Sequence, residues 1–217
     1  MNNRLRVSYV LIFSFLSLVC FISVAIFFNT PRVVQWDQAL ISAIRLWEGP
    51  QLTQLMKLFT LSGSFEVLAC LSIVILLYSC IWLRHRLEIL LFITILGGSI
   101  LLNLLLKLAF HRDRPSLHRL IEETGFSFPS GHSMQAFAFY AALTFLLWRH
   151  MPNKYARASV GVLGALLTVC IGLSRIYLGV HYPSDVVGGF LASGSWFALC
   201  VWCFQWYNQE RQSRDTE

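Results

Sequence analysis

Six stretches of this chain, residues 7–28, 65–83, 88–110, 131–148, 157–178 and 185–207, are apolar over nearly the length needed to cross the ~30 Å core of a bilayer. In lipid a backbone must satisfy its own hydrogen bonds, so continuous spans of this kind fold as helices. The pattern predicts an all-α, polytopic membrane protein with six transmembrane helices, a single membrane-embedded domain over residues 1–217. The totals agree. Only 13% of the residues are charged and the mean hydropathy is +0.61, whereas soluble domains carry about 25% charged residues.

The formal charge of +6 does not point to nucleic acid, because the basic residues are scattered through short loops between apolar runs. The six cysteines all lie inside apolar stretches and read as small buried or lipid-facing residues, not as a disulfide framework. Cys200 and Cys203 have no second pair, so they make a poor metal or redox motif. Arg4 and Arg6 precede an apolar run too long for a signal peptide, and no small-residue cleavage site follows it; it reads as a retained first helix.

Orientation follows from charge. With the N-terminus inside, the inner segments hold Arg4, Arg6, Arg84, Arg86, Arg149, Lys154, Arg157, Arg211 and Arg214, nine of the 17 basic residues. Lys107, Arg114 and Arg175 fall outside and belong to the chemical clusters below. Setting them aside leaves an inner excess, which places both termini in the cytoplasm of a cell-membrane protein. Segment 31–64 differs. Apolar residues at 36, 40, 43, 44 and 47 have helical spacing, Gly49-Pro50 interrupts, and 51–61 resumes, so an interfacial helical hairpin between the first and second spans is expected, with an ordinary packed loop as the alternative. Trp36 and Trp47 on one side and Trp82 and Trp148 on the other fit an aromatic belt.

Three clusters lie at the ends of apolar runs, all on the outer side in this topology. Lys107 and Arg114-Pro115 offer a point charge and a planar fork for phosphate oxygens. Alone, they equally fit a snorkelling lysine and a solvated loop. Pro129-Ser130-Gly131-His132 opens the fourth span. Ser130 is a good N-cap, the N–H groups of Gly131 and His132 are free for an anion, and His132 can deliver a proton to a leaving oxygen; a capped helix with an interfacial histidine is the plainer reading. Ser174-Arg175 ends the fifth span, and His181 and Asp185 follow four residues apart. An arginine beside the membrane core needs an anion or water. The His181–Asp185 spacing lets the carboxylate fix the imidazole tautomer, although a surface pair capping the sixth helix has the same spacing. Two histidines and one carboxylate among three cations repel a divalent metal, so the site reads as metal-free.

Taken together, Lys107-x6-Arg114-Pro115, Pro129-Ser130-Gly131-His132 and Ser174-Arg175-x5-His181-x3-Asp185 resemble the tripartite signature of the type 2 phosphatidic acid phosphatase superfamily. Every signature position matches, in order, from 107 to 185. The resemblance implies His181 as a nucleophile forming a phosphohistidine, Asp185 as its orienting carboxylate and His132 as general acid. It implies Lys107, Arg114, Arg175, Ser130 and Gly131 as the phosphate clamp, and no cofactor. Similar bacterial members hydrolyse phosphatidylglycerophosphate, phosphatidate or undecaprenyl pyrophosphate, so the implied partners are a lipid phosphate and the bilayer, with no nucleic acid and no obligatory protein. A phosphotransferase using the same phosphohistidine, a haloperoxidase of the wider superfamily, and a non-catalytic anion-binding transporter or scaffold are the rivals. His111, Arg112, Asp113 and His118 fall outside the signature and read as loop residues. Glu122 and Glu123 read as a solvated loop, with screening of the site as the other possibility. Glu66 closes the outer end of the second span.

Overall fold

The computed structural model describes residues 3–83, 86–116 and 118–214. Arg84 lies outside the described residues, as do the side chains of Arg4, Arg6 and Trp82. Among the described residues the chain forms eight α-helices and no strand: α1 Asn3–Phe27, α2 Pro31–Arg45, α3 Pro50–Ser62, α4 Phe65–Tyr78 continued by a π-helical turn Ser79–Leu83, α5 Arg86–Phe110, α6 Gly131–His150, α7 Lys154–Tyr177 and α8 Pro183–Arg214.

Among the described residues four helices, Ser8–Phe27 of α1, α5, α7 and α8, are long and apolar enough to cross a membrane. The pair α3–α4 becomes a fifth if its 48° bend at Gly63-Ser64 is taken as a break within one span. The six expected spans therefore differ from the observed helices at two places. The stretch 65–83 holds a helix of only 14 residues before the π turn, and α6 opens on Gly131-His132-Ser133, with Gln135 following in the first turns. Segment 31–64 forms the expected pair of helices, α2 and α3, each opened by a proline where no N–H is missed. The one buried residue of α2 is Asp37, so this helix turns a carboxylate inward.

Two cores hold the bundle. Leu68, Phe92, Ile95, Phe139 and Phe204 join α4, α5, α6 and α8. Phe21, Phe28, Phe128, Met134 and Ala192 join α1, α6 and α8. Phe128 stacks on Phe28 at 4.8 Å between ring centroids and meets the edge of Phe110 at 5.2 Å. This aromatic cluster lies directly behind Pro129-Ser130, so it fixes where α6 begins. Gly189 lets α8 approach that point: a Cβ there would sit 2.9 Å from the Ser130 carbonyl oxygen.

Candidate active site

Local sequence sets the start of each helix that carries the site. Ser130 caps α6 by accepting from the Ser133 N–H at 3.4 Å, as its type and position predict. Pro183 opens α8, and Asp185 reaches back to accept from the Tyr182 N–H at 2.8 Å, satisfying a free helix-start donor. The connection from α7 turns at Gly179, whose φ of 74° suits glycine and whose missing side chain admits the His118 carbonyl. These turns bring α5, α6, α7 and α8 together at one end of the bundle.

His181 is the centre. Its Nε2 is 3.2 Å from Arg114 Nη1, and its Nδ1 is 3.4 Å from Asp185 Oδ2 and 3.3 Å from Ser127 Oγ. A guanidinium can only donate, so Nε2 carries the lone pair and Nδ1 the proton. Ser127 Oγ donates to Asp185 Oδ2 at 2.5 Å and is then free to accept from Nδ1–H. Burial, at 1% exposure, holds the His181 imidazole down at about 4, against the pull of Asp185 and with the push of Arg114 and Arg175. The ring is therefore neutral at ordinary pH.

The cations surround it. Arg114 is fixed by the carbonyls of Gly125, Thr124 and Val180 at 3.0, 2.9 and 3.1 Å. Arg175 is fully buried at the end of α7; its Nη1 donates to Thr60 Oγ1 at 3.3 Å, Thr60 bonds Ser174 at 2.7 Å, and its Nε has no partner among the described residues. Lys107 and His132 are half-buried and hydrogen-bond no other member of the cluster among the described residues, yet both lie within the field of Glu123 and Arg175. Gly131 begins α6 beside Asn103.

Three residues that the sequence left outside the site belong to it, and so does Glu123, for which screening of the site is the second reading. Glu123 pairs with Arg175 Nη2 and lies 3.8 Å from Arg114 Nη2, so it is no solvated loop residue. Burial would push its carboxyl up, but the Arg175 guanidinium beside it holds it below the ordinary carboxylate range. Arg112, read as a loop residue, is buried; it donates to Asp185 Oδ1 at 2.6 Å and to Ser184 Oγ at 2.7 Å, and its Nη2 reaches Asp37 Oδ2 at 3.0 Å. Its guanidinium lies between the rings of Phe28 and Tyr182, 4.7 and 4.2 Å from their centroids. Asp37 also accepts from the Ser184 N–H at 2.8 Å and its hydroxyl at 2.6 Å. Ser127 is the fourth. By contrast His118 faces Glu48 at 3.0 Å, away from the cluster, and His111 packs on Phe126.

This is a helical membrane bundle whose one end holds a neutral, oriented imidazole inside a ring of cations. The family model described as the PAP2 superfamily matches residues 87–209, which contain all three clusters, and the chain belongs to that superfamily. It is 36% identical over 172 residues to phosphatidylglycerophosphatase B of Bacillus subtilis strain 168, covering 78% of this chain and 84% of that protein. It is 37% identical over 123 residues to a lipid A 1-phosphatase of Rhizobium johnstonii, covering 50% of this chain and 44% of the relative. Its fold resembles the crystal structure of a transmembrane PAP2-type phosphatidylglycerolphosphate phosphatase from Bacillus subtilis, with a TM-score of 0.79 and 32% identity over 87% of this chain and 94% of that one.

Proposed function

We propose that this protein is a metal-independent membrane phosphatase that hydrolyses the phosphate monoester or pyrophosphate of a lipid through a phosphohistidine on His181. Phosphatidylglycerophosphate is the first substrate to try, given the relative and the solved structure named for it. Phosphatidate and undecaprenyl pyrophosphate follow. The observation that carries the reading is the fixed tautomer of His181: Arg114 on Nε2, Asp185 and Ser127 on Nδ1.

The chemistry follows from that arrangement. The phosphoryl group binds among Lys107, Arg114 and Arg175, whose charges oppose those of the non-bridging oxygens, and the orphan Nε of Arg175 gains an acceptor. The Gly131 N–H at the start of α6 adds a donor. Ser130 Oγ already accepts from Ser133 N and from Ser133 Oγ at 2.9 Å, so its own O–H is left to donate to phosphate. His181 Nε2 attacks phosphorus, the ester P–O bond breaks in line, and His132 protonates the departing oxygen. Asp185 stabilises the positive charge that develops on the ring. Water then attacks the phosphohistidine, His132 takes its proton, the N–P bond breaks and phosphate leaves. Cations do the work that a metal does in other phosphatases, so chelators should not inhibit.

The reading includes six spans, with α4 and α6 as the two that depart from simple apolar helices, in one domain over residues 1–217. It places both termini in the cytoplasm and the site on the outer face of the cell membrane, from the bias of basic residues. No protein partner is required by this mechanism.

The test is phosphate release from the three lipids in parallel, in detergent, with EDTA present and His181→Ala as control. Turnover that survives EDTA and is lost in the variant supports the reading and ranks the lipids. Turnover abolished by EDTA, or retained by the variant, refutes it.

A further inference from the structure

A second feature lies at the opposite end of the bundle. Lys107 and Arg86 are at the two ends of α5, about 30 Å apart at 1.5 Å per residue. That is a bilayer core thickness. Helices α6 and α8 also begin at the catalytic cluster, so their last turns, with Arg149 and Arg211, lie at the far end with Arg86.

Between α5 and α8, reaching this end, is a cavity of about 510 Å³ with almost wholly apolar walls, including Leu87, Leu91, Leu199 and Phe204. A smaller cavity of about 330 Å³ adjoins it, sharing Leu87 and Phe204, and its walls carry Arg86, Arg149 and Arg211. Among the described residues one carboxylate, Glu88, lines this second space. It is committed to Arg149 at 2.8 Å and to His150 at 2.8 Å. Arg149 is braced further by the Phe204 ring, 5.0 Å from its guanidinium. Arg86 and Arg211 are exposed and form no ion pair among the described residues. Three arginines against one carboxylate leave the lining of this space with an excess of two positive charges.

An apolar groove at membrane depth that ends in a cationic chamber matches one kind of occupant: an acyl chain ending in an anionic phosphate headgroup. We propose that the α5–α8 groove is a second lipid site, distinct from the catalytic one, selective for an anionic glycerophospholipid of the opposite leaflet. The acyl chain lies along Leu91 and Leu199, and Arg86 and Arg211 meet the phosphate. A zwitterionic lipid presents the same chain but adds a cation where two arginines already stand, so the charge sets the selectivity. Bound lipid bridges the two helices that carry Lys107 and Asp185, and it stabilises the folded protein by mass action.

The experiment uses delipidated protein in neutral detergent, with melting temperature followed against phosphatidylglycerol or phosphatidylcholine of the same acyl chains. Phosphatidylglycerol is expected to stabilise at lower concentration. A juxtamembrane arginine contributes about fivefold to the affinity for anionic lipid, so Arg86→Gln with Arg211→Gln should weaken phosphatidylglycerol by roughly 25-fold and leave phosphatidylcholine unchanged. Cys203→Trp, which fills the groove, should weaken both. A lipid bound at the catalytic cluster would be blind to the two arginines, a membrane thickness away. Equal affinity for the two lipids, or a preference that survives in the double variant, would overturn the proposal.

Discussion

Arg112 Nη1 stands 2.6 Å from Asp185 Oδ1, both side chains buried, while Arg112 Nη2 holds Asp37 from α2 at 3.0 Å. One cation is shared by two carboxylates. The trio lies beside the imidazole that the proposed attack makes positive. Removing Arg112 leaves two buried carboxylates unpaired. Arg112→Ala should destabilise the protein by about 3–5 kcal/mol, read as a large drop in melting temperature. Asp37→Asn is the gentler probe. It hands the whole of Arg112 to Asp185, so kcat should fall about tenfold with KM unchanged, while melting shifts little. A fall in melting with no change in kcat would make Asp37 purely structural.

Ser127 touches both members of the dyad, donating to Asp185 and facing His181 Nδ1. Ser127→Ala removes both contacts without removing a charge. The expected loss is about 1–2 kcal/mol of transition-state stabilisation, a five- to thirtyfold drop in kcat/KM. Ser127→Thr should restore part of it.

Glu123 lies against Arg175 and Arg114, two of the three cations proposed to bind phosphate, where a substrate anion would compete with it. Glu123→Gln should tighten inhibition by inorganic phosphate or vanadate by about tenfold, because the displaced group no longer carries charge. Weaker inhibition would mean that Glu123 positions Arg175 for phosphate instead of opposing it.

The buried His181, held down at about 4, also has a pH signature. An exposed imidazole in the unfolded chain titrates near 6.5. Between about 4 and 6.5 the unfolded chain therefore binds the extra proton, and folding stability declines as pH falls through that window. The proposed nucleophile, His181, keeps its neutral ring there. With an aryl phosphate whose leaving group needs no proton, the acid limb of kcat/KM should lie near 4. An acid limb near 6.5 would place His181 in water.

What the sequence made legible was whatever is local. The Ser130 cap and the His181–Asp185 spacing both depend on a few adjacent residues, and each is found where the pattern puts it. The helices α2 and α3 were legible from their apolar spacing. Arg112 and Asp37 were not, because an arginine in a His-Arg-Asp-Arg loop looks solvated, and nothing local pairs it with an aspartate 75 positions earlier. Glu123 was obscured in the same way: its partner Arg175 comes 52 residues later. One signal was available for Asp37. It is the only acidic residue of α2, and it lies among residues of helical apolar spacing. The number of spans was least legible, since α6 begins inside the site and pays for that in apolar length.

The most direct measurement is rapid quenching of the enzyme with lipid labelled with ³²P in the scissile phosphoryl group, followed by denaturation in alkali. The mechanism predicts protein-bound label that survives base, is released by acid and maps to His181, and that is missing from His181→Ala. Turnover by the wild-type protein with no such label, or label on another residue, would contradict it.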